Sequence, residues 1–148
     1  MAVHYRGTAR ELRALDAYVK LVRSAESVTV RLNPPLAAAG LTVSQFGVLE
    51  ALLHLGPLRH NELAGKLLKS GGNITMVVNN LERRRLVVRR RDRRDRRVIA
   101  VHLTQMGRRM VRRLFPRHVA NLVAEMAVLG AAEQEKLAAL CRRLGLGE

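Results

Sequence analysis

The sequence predicts a mainly helical protein with one small β-hairpin near its centre. Hydrophobic residues make up 48% of the 148 residues, which is enough for one domain with a buried core. Apolar residues recur at intervals of three and four along most of the chain, which is the helical period. Residues 86–103 instead carry β-branched and basic residues on both sides of a polar turn, as a hairpin does.

The first helix is expected over about residues 8–32. Thr8 and Glu11 have the spacing of a capping box, in which each side chain accepts a hydrogen bond from the backbone N–H of the other residue. Pro34 and Pro35 are expected to end this helix, because proline lacks the N–H that a helical hydrogen bond requires.

The next two helices are separated by a short loop. A second capping box, at Thr42 and Gln45, opens the second helix, which is expected to end at Gly56. A short third helix follows over about residues 61–68, and a tight Ser-Gly-Gly turn leads into a fourth. Short helices joined by tight turns are typical of helix-turn-helix modules.

The fourth helix, over about residues 70–84 with Ser70 as N-cap, has two contrasting faces. One is an apolar stripe that runs from Ile74 to Leu81 at helical spacing. The other is uncharged and suits contact with base edges in a major groove, where amides pair with adenine. This second face consists of Gly72, Asn73, Thr75, Met76, Asn79 and Asn80.

A basic hairpin follows, with strands over about residues 86–91 and 97–103. Ten arginines and three acids lie between Glu82 and Arg97, which is too much charge for a core. A charge run is usually only a solvated surface, but this one follows an uncharged, amide-bearing helix face, which favours contact with DNA. Helix, turn, helix and hairpin together predict a winged helix-turn-helix over residues 41–104.

Amphipathic helices flank this module. Thr104 is expected to cap a fifth helix over about residues 105–129, kinked at Pro116, and a last helix is expected over about residues 132–144. Their stripes are more apolar surface than the module can cover, so we expect segments 8–33 and 105–146 to be dimerisation helices. A two-fold dimer would present two copies of the fourth helix, the reading helix, to half-sites ~34 Å apart in a pseudo-palindromic duplex.

The formal net charge of +15 argues for a polyanionic partner, with nucleic acid as the first candidate and an anionic membrane surface as the second. No apolar run approaches the ~20 residues that span a bilayer. Residues 1–10 lack the apolar segment of a signal peptide. We therefore expect a cytoplasmic protein with no membrane partner.

Metal binding, redox sensing and catalysis find little support in the sequence. Glu50 and His54 could share an ion, but no third ligand has useful spacing, so no metal or other cofactor is expected. Cys141, the only cysteine, excludes an internal disulfide and lies on an apolar stripe, where we expect a buried, inert thiol rather than a sensor. No nucleophile or phosphate-binding motif indicates an enzyme.

Three segments of the chain carry motifs whose order and spacing match those of a known family. They are LTVSQFGVLEALL, NELAGKLLKSGGNITMVVNNLERRRLV and RRDRRDRRVIAVHLTQMGRRM, which include L-x-x-x-x-L-V-x-R, D-x-x-D-R-R and L-T-x-x-G. They resemble the multiple-antibiotic-resistance-regulator (MarR) family of bacterial winged-helix repressors. The resemblance covers nearly the whole chain. It implies homodimers whose reading helix lies in the major groove and whose wing tip lies in the minor groove.

The resemblance also implies which residues contact DNA. It places Ser70, Gly72, Asn73, Thr75, Met76 and Asn79 on the reading helix, and Asp95 and Arg97 at the wing, with Arg97 inserted between phosphates. Arg89, Arg91 and Arg96 are expected to contact phosphates. We expect Asp92 and Asp95 to orient neighbouring arginines by charge-assisted pairing.

This chain departs from the family pattern at two positions. Arg85 stands where the family usually has glycine between the reading helix and the wing. A left-handed C-cap must therefore be carried by a non-glycine residue or replaced by another ending. Arg59 stands where the third helix usually has a serine or threonine cap.

The downstream segment LFPRHVANLVAEMAVLGAAEQEKL resembles a branch of the family in which several members respond to quinones, catechols or related phenols. If a small aromatic effector binds, we expect it in the crevice between the first, second and fifth helices. The candidate contacts are Tyr18, Phe46, Phe115 and His118, although core packing is the commoner role of each aromatic ring.

The sequence therefore predicts a regulator of transcription that binds specific sites in double-stranded DNA. We expect a homodimeric repressor that a small phenolic or quinone effector releases. The alternative is an architectural protein that coats DNA without sequence choice and without an effector. Competition with excess random duplex separates the two, because only a regulator retains a preferred site by ~10³ or more.

Overall fold

A computed structural model describes residues 4–67 and 71–148 of the chain. The predicted class is confirmed: helices dominate, and a small antiparallel sheet forms the wing of a winged helix-turn-helix. In chain order the elements are α1 (Ala9–Ala38), α2 (Val43–Leu55), β1 (Leu58–Arg59), α3 (His60–Leu67), α4 (Gly71–Arg83), β2 (Val87–Arg91), β3 (Ile99–Leu103), α5 (Gln105–Met126) and α6 (Ala131–Leu146).

The wing is the hairpin of β2 and β3, with β1 added at one edge. Val87 pairs with Leu103 in the antiparallel hairpin, and β1 pairs with the other edge of β3 to give the order β1-β3-β2. β1 is not predicted by the sequence, because two residues are too few to display the alternation of a strand. Val87 and Val101 are buried, whereas residues 92–97 at the tip are exposed.

Both predicted capping boxes are confirmed. The Oγ1 of Thr8 accepts from the backbone N–H of Glu11 at 3.3 Å, and the Oγ1 of Thr42 accepts from that of Gln45 at 3.1 Å. In each box the second side chain accepts in return from the N–H of the threonine. These local bonds satisfy N–H groups that have no partner inside the helix, which is why the two starts could be read from sequence.

The predicted end of the first helix is wrong. α1 continues through Pro34 and Pro35 and ends at Ala38. Proline fixes φ near the helical value, so the two residues remove N–H donors but fit the helical backbone. The continuation buries Leu36, which is 3% exposed, in the core, and this burial offsets the lost hydrogen bonds. Gly40, with φ of 74°, then redirects the chain towards α2.

The last two helices differ from the prediction at their ends. α5 runs through Pro116 and ends at Met126 rather than near residue 129. A kink at Pro116 stays a prediction. α6 follows Gly130, whose backbone N–H donates to the Glu133 carboxylate at 2.8 Å and so replaces a side-chain cap.

The core occupies the centre of the chain and is organised around α2. All members of the buried cluster lie between Leu36 and Val111. α2 packs against α1, α3, α4, α5 and β3, and its Val48 and Leu49 are fully buried. α6, by contrast, has no buried residue. The helix-turn-helix and its wing therefore hold most of the core, and the terminal helices add little to it.

The junction between α4 and the wing depends on one left-handed residue. Arg85 has φ of 58°. The N–H groups of Arg85 and Leu86 donate to the carbonyls of Glu82 and Leu81 at 2.9 and 3.0 Å. This is the Schellman ending that glycine usually provides, so of the two endings considered, the left-handed cap on a non-glycine residue is the one formed.

The start of α5 makes hydrogen bonds and close contacts with the same junction between α4 and the wing. The Oγ1 of Thr104 accepts from the N–H of Gly107 at 3.0 Å and lies 2.7 Å from the carbonyl oxygen of Arg85, to which it donates. A Cβ on Gly107 would lie 2.0 Å from the carbonyl oxygen of Leu86. The L-T-x-x-G motif therefore has a packing role: threonine fixes the helix start, and glycine lets it approach the neighbouring backbone.

Candidate nucleic-acid interface

α4 presents one buried and one exposed face, as predicted. Ile74, Val78 and Leu81 are fully buried. The opposite face is exposed at Gly72, Asn73, Thr75, Met76 and Asn79. Met76 is 74% exposed, so its apolar side chain lies open on an uncharged surface. Such a face can offer both hydrogen bonds and an apolar contact to base edges.

Three further residues, Ser70, Asn80 and Thr75, are predicted on or beside this face. Ser70, the predicted N-cap, lies outside the described residues. Asn80 lies at the edge of this face and is half-buried, and its Oδ1 accepts from the Nε2 of Gln45 at 2.9 Å, which ties α4 to α2. Thr75 keeps its exposed place, and its hydroxyl lies 3.2 Å from Nε2 of His60 on α3.

The two acids of the wing tip shape its backbone. The Asp92 carboxylate accepts from the N–H groups of Arg94 and Asp95 at 2.7 and 3.1 Å, and Asp95 accepts from the N–H of Arg97 at 3.0 Å. The hydrogen bonds from Arg94 and Asp95 lower the pKa of Asp92. The expectation that both acids orient arginine side chains is therefore wrong: short acids in a tight turn reach backbone N–H groups first.

Arg89 has a different role from the one expected. Its Nη1 donates to Oε1 of Glu82 at 2.8 Å, and its Nη2 donates to Oδ1 of Asn79 at 2.7 Å. The guanidinium therefore joins the wing to α4, and its contact with phosphate stays a prediction. The part played by Glu82 is not foreseen from sequence, although Glu82 and Arg89 both lie within the motif L-x-x-x-x-L-V-x-R.

The remaining wing arginines form an open basic surface. Arg96 and Arg97 are exposed, and Nη1 of Arg91 donates across the hairpin to the carbonyl of Arg96 at 3.0 Å. A groove of about 730 Å³ lies between the wing and the start of α3. Its cationic lining residues are Arg59, Arg90, Arg91, Arg93 and Arg94. This density of positive charge attracts a phosphate backbone.

The effector candidates separate into different places. Phe46 and His118 meet, with ring centroids 4.7 Å apart, in a cavity of about 220 Å³ between α1, α2 and α5. This is the crevice in which an effector was expected. Burial lowers the pKa of His118, and the nearby Glu50 carboxylate opposes that shift. Phe115 lies instead against His54, at 4.6 Å between centroids, and is packed on the core.

Tyr18 belongs to a second, apolar groove between α1 and α6. The groove has a volume of about 630 Å³ and is lined mainly by small and aliphatic side chains, with Leu137, Leu140 and Leu144 on α6. Cys141 lies in the same lining and is exposed, so the prediction of a buried thiol is wrong for the single chain. The apolar stripe that it shares is present, but no described element covers it.

The described parts of the chain offer no metal site. Among residues 4–67 and 71–148, no cluster of three histidine, cysteine, aspartate or glutamate side chains could hold an ion. Over the same ranges no single helix is long and apolar enough to cross a membrane. α1 and α2 pass that test only when taken together, across a break bent by 80°.

Comparison with known proteins decides the family. A MarR family model matches residues 39–98, which contain α4, β2 and the wing tip. The HTH-type transcriptional regulator MhqR of Bacillus subtilis (strain 168) is 31% identical over 134 residues, covering 90% of this chain and 92% of MhqR. The chain belongs to the MarR family. This MarR-family member is accordingly a DNA-binding regulator of transcription.

Two solved structures share the fold. Sco3205 from Streptomyces coelicolor, solved in complex with DNA, matches with a TM-score of 0.83 at 23% identity, covering 99% of this chain and 92% of Sco3205. BpsR of Bordetella bronchiseptica, whose DNA binding is regulated by 6-hydroxynicotinic acid, matches with a TM-score of 0.80 at 24% identity, covering 88% of this chain and 98% of BpsR.

Proposed function

We propose that this MarR-family protein is a homodimeric repressor that binds a pseudo-palindromic site in double-stranded DNA. α4 lies in the major groove and reads base edges, and the wing lies in the adjacent minor groove. The observation that carries the proposal is the contrast between the uncharged exposed face of α4 and the arginine-rich wing beside it. The first suits sequence choice, and the second supplies affinity.

The wing tip suits a minor groove. Asp92 and Asp95 use their carboxylate oxygens to hold backbone N–H groups, so their charge is engaged within the turn. Arg96 and Arg97 project from the same turn as exposed cations. A narrow minor groove has an enhanced negative potential, which attracts an inserted arginine. Arg97 is the residue that we place between the phosphates.

A second copy of the chain is the expected occupant of the apolar groove between α1 and α6. Tyr18 is 64% exposed, Leu140 50% and Leu144 67% in the single chain. Large apolar patches of this kind on a soluble protein mark contact surfaces. A two-fold dimer buries them and sets two α4 helices at the spacing of successive major grooves, ~34 Å.

We further propose that a small, uncharged aromatic compound binds in the crevice of Phe46 and His118. The cavity is small and mainly apolar, and the Glu50 carboxylate in its lining repels an anionic ligand. A phenol hydroxyl can donate to the Glu50 carboxylate, and a quinone carbonyl can accept from a ring N–H of His118, while the ring packs against Phe46. Such a ligand releases DNA only if it prefers a dimer geometry that fits the operator poorly.

The proposal is tested by competition. The protein is bound to its preferred duplex, selected from a random pool, and challenged with random duplex at the same salt concentration. A repressor retains its site with a preference of ~10³ or more. Loss of the preferred site at equal concentrations of competitor contradicts sequence-specific binding and supports an architectural protein that coats DNA.

A further inference from the structure

Hydrogen bonds between the wing and α4 fix the orientation of one side chain on the groove-facing surface. Arg89 lies on β2, and its guanidinium bonds both the Glu82 carboxylate and the Oδ1 of Asn79, at 2.8 and 2.7 Å. The backbone N–H of Arg89 also donates to Oε2 of Glu82, at 2.9 Å. Glu82 therefore holds Arg89 at two points, and Arg89 in turn holds the Asn79 amide.

The chemistry of the pair determines which amide atom faces outward. A guanidinium carries only donors, so the atom of Asn79 that faces Arg89 must be the amide oxygen. Asn79 is exposed on α4. The oxygen is turned towards the wing and has one lone pair engaged by Arg89, so the outward-facing atom of the side chain is the amide nitrogen, which carries two N–H donors.

We propose that Arg89 makes Asn79 a hydrogen-bond donor only, so that Asn79 selects bases by their acceptor atoms. The inference rests on the proposed function, because it requires α4 in the major groove. An asparagine free to turn pairs with adenine by accepting from N6 and donating to N7. Because the oxygen is turned towards Arg89, adenine would place its N6–H donor against the N–H donors of the amide and would offer only N7 as an acceptor. Guanine offers two acceptors, O6 and N7, and thymine offers O4.

Arg89 is thus a positioning residue for sequence choice. The adenine contact that the sequence suggested for the amides of α4 does not apply to Asn79 in this arrangement. Instead, Asn79 prefers guanine or thymine.

The test begins with the base that Asn79 contacts. The affinity of the full-length protein is measured by fluorescence anisotropy for the preferred duplex and for every single-base-pair change, with wild type and with Asn79→Ala. The contacted position is the one at which base identity matters to wild type but no longer to Asn79→Ala. We expect guanine or thymine there, with adenine weaker by roughly tenfold or more. Adenine as the best base, or uniform weakening at all positions by Asn79→Ala, overturns the inference.

Arg89→Met then tests the positioning role, since it keeps an unbranched side chain and removes the donors. We expect the relative affinity for adenine at that one position to rise by roughly tenfold, because the amide can turn. Arg91→Met, which removes the same charge from the same strand, is the matched control. It should weaken all duplexes about equally. An unchanged preference in Arg89→Met contradicts the inference.

A second variant covers the case in which Arg89→Met unfolds. Asn79→Asp keeps a partner oxygen for Arg89 and replaces the outward nitrogen with an acceptor, so the preference should move to cytosine, whose N4 donates. Retained preference for guanine or thymine in Asn79→Asp overturns the inference. A wild-type protein that prefers no duplex over random DNA would instead defeat the proposed function itself.

Discussion

The winged module and the terminal helices differ in where their apolar side chains lie. In the module, Ile74, Val78 and Leu81 of α4 are buried completely against the same chain. In α6, which has an apolar stripe of similar length, Leu140 and Leu144 are 50% and 67% exposed. Amphipathic periodicity predicts that a face will be covered, but it does not say by which chain. The module is covered within one chain, and we propose that a second chain covers the exposed stripe of the terminal helices.

The largest effect is expected from Gly107→Ala, which tests how closely the start of α5 packs against the backbone of Leu86. A Cβ at this position meets the carbonyl oxygen of Leu86 at 2.0 Å, so backbone must move. We expect a loss of about 3 kcal/mol in the free energy of unfolding, measured by urea denaturation. Gly145→Ala on α6, where an added Cβ has no neighbour within 4 Å, is the control and should be neutral or slightly stabilising. Equal stability of the two variants would contradict the close approach of Gly107 to the carbonyl of Leu86.

The next effect, from Leu140→Glu, tests the other region. A carboxylate in the groove between α1 and α6 must be buried when a second chain covers it, so the dimer should dissociate at concentrations about 100-fold higher than wild type, as measured by sedimentation. Ala139→Glu introduces the same charge on the opposite face of α6 and serves as the control. If Leu140→Glu associates as wild type does, the proposal that a second chain covers this groove is wrong.

Arg97→Ala should act on DNA binding and leave both stability and dimerisation intact. Arg97 is exposed at the wing tip, and removing one phosphate contact weakens operator binding. The slope of log K against log salt concentration should become shallower by about one unit. Arg142→Ala on α6 loses the same charge and should leave the slope unchanged. If Arg97→Ala binds its operator as wild type does, the wing assignment fails.

The smallest effect is expected at the left-handed C-cap. Arg85 has φ of 58°, which costs a residue with a Cβ more than it costs glycine. Arg85→Gly should therefore stabilise the protein by about 0.5–1 kcal/mol in thermal or urea unfolding. Arg83→Gly loses the same charge at the last residue of α4 and should destabilise the protein by about 0.5 kcal/mol. Destabilisation by Arg85→Gly would show that the arginine side chain contributes more than its backbone costs.

Local signals in the sequence were sufficient to predict the helices and the hairpin of the winged module. The capping threonines act within one helical turn, and the stripe of α4 repeats at the helical period, so both could be read directly. The hairpin strands and the arginine-rich tip followed from composition and alternation. A crevice between the first, second and fifth helices was also predicted, although only Phe46 and His118 of its four candidate contacts line it.

Features that depend on tertiary partners escaped sequence reasoning. β1 exists only by pairing with β3, and α1 crosses two prolines because Leu36 is buried by other helices. Asn80 and Arg89 looked like surface groups until Gln45 and Glu82 were brought beside them. Cys141 lies on an apolar stripe, but one chain cannot cover it.

We propose that two subunits hold two α4 faces and two wings at the spacing of a DNA turn. Selection of preferred duplexes from a random pool by the full-length protein tests it most directly. We expect enrichment of an inverted repeat whose half-site centres lie about 10 base pairs apart. A single unrepeated site, or a recovered pool as random as the starting one, would contradict it.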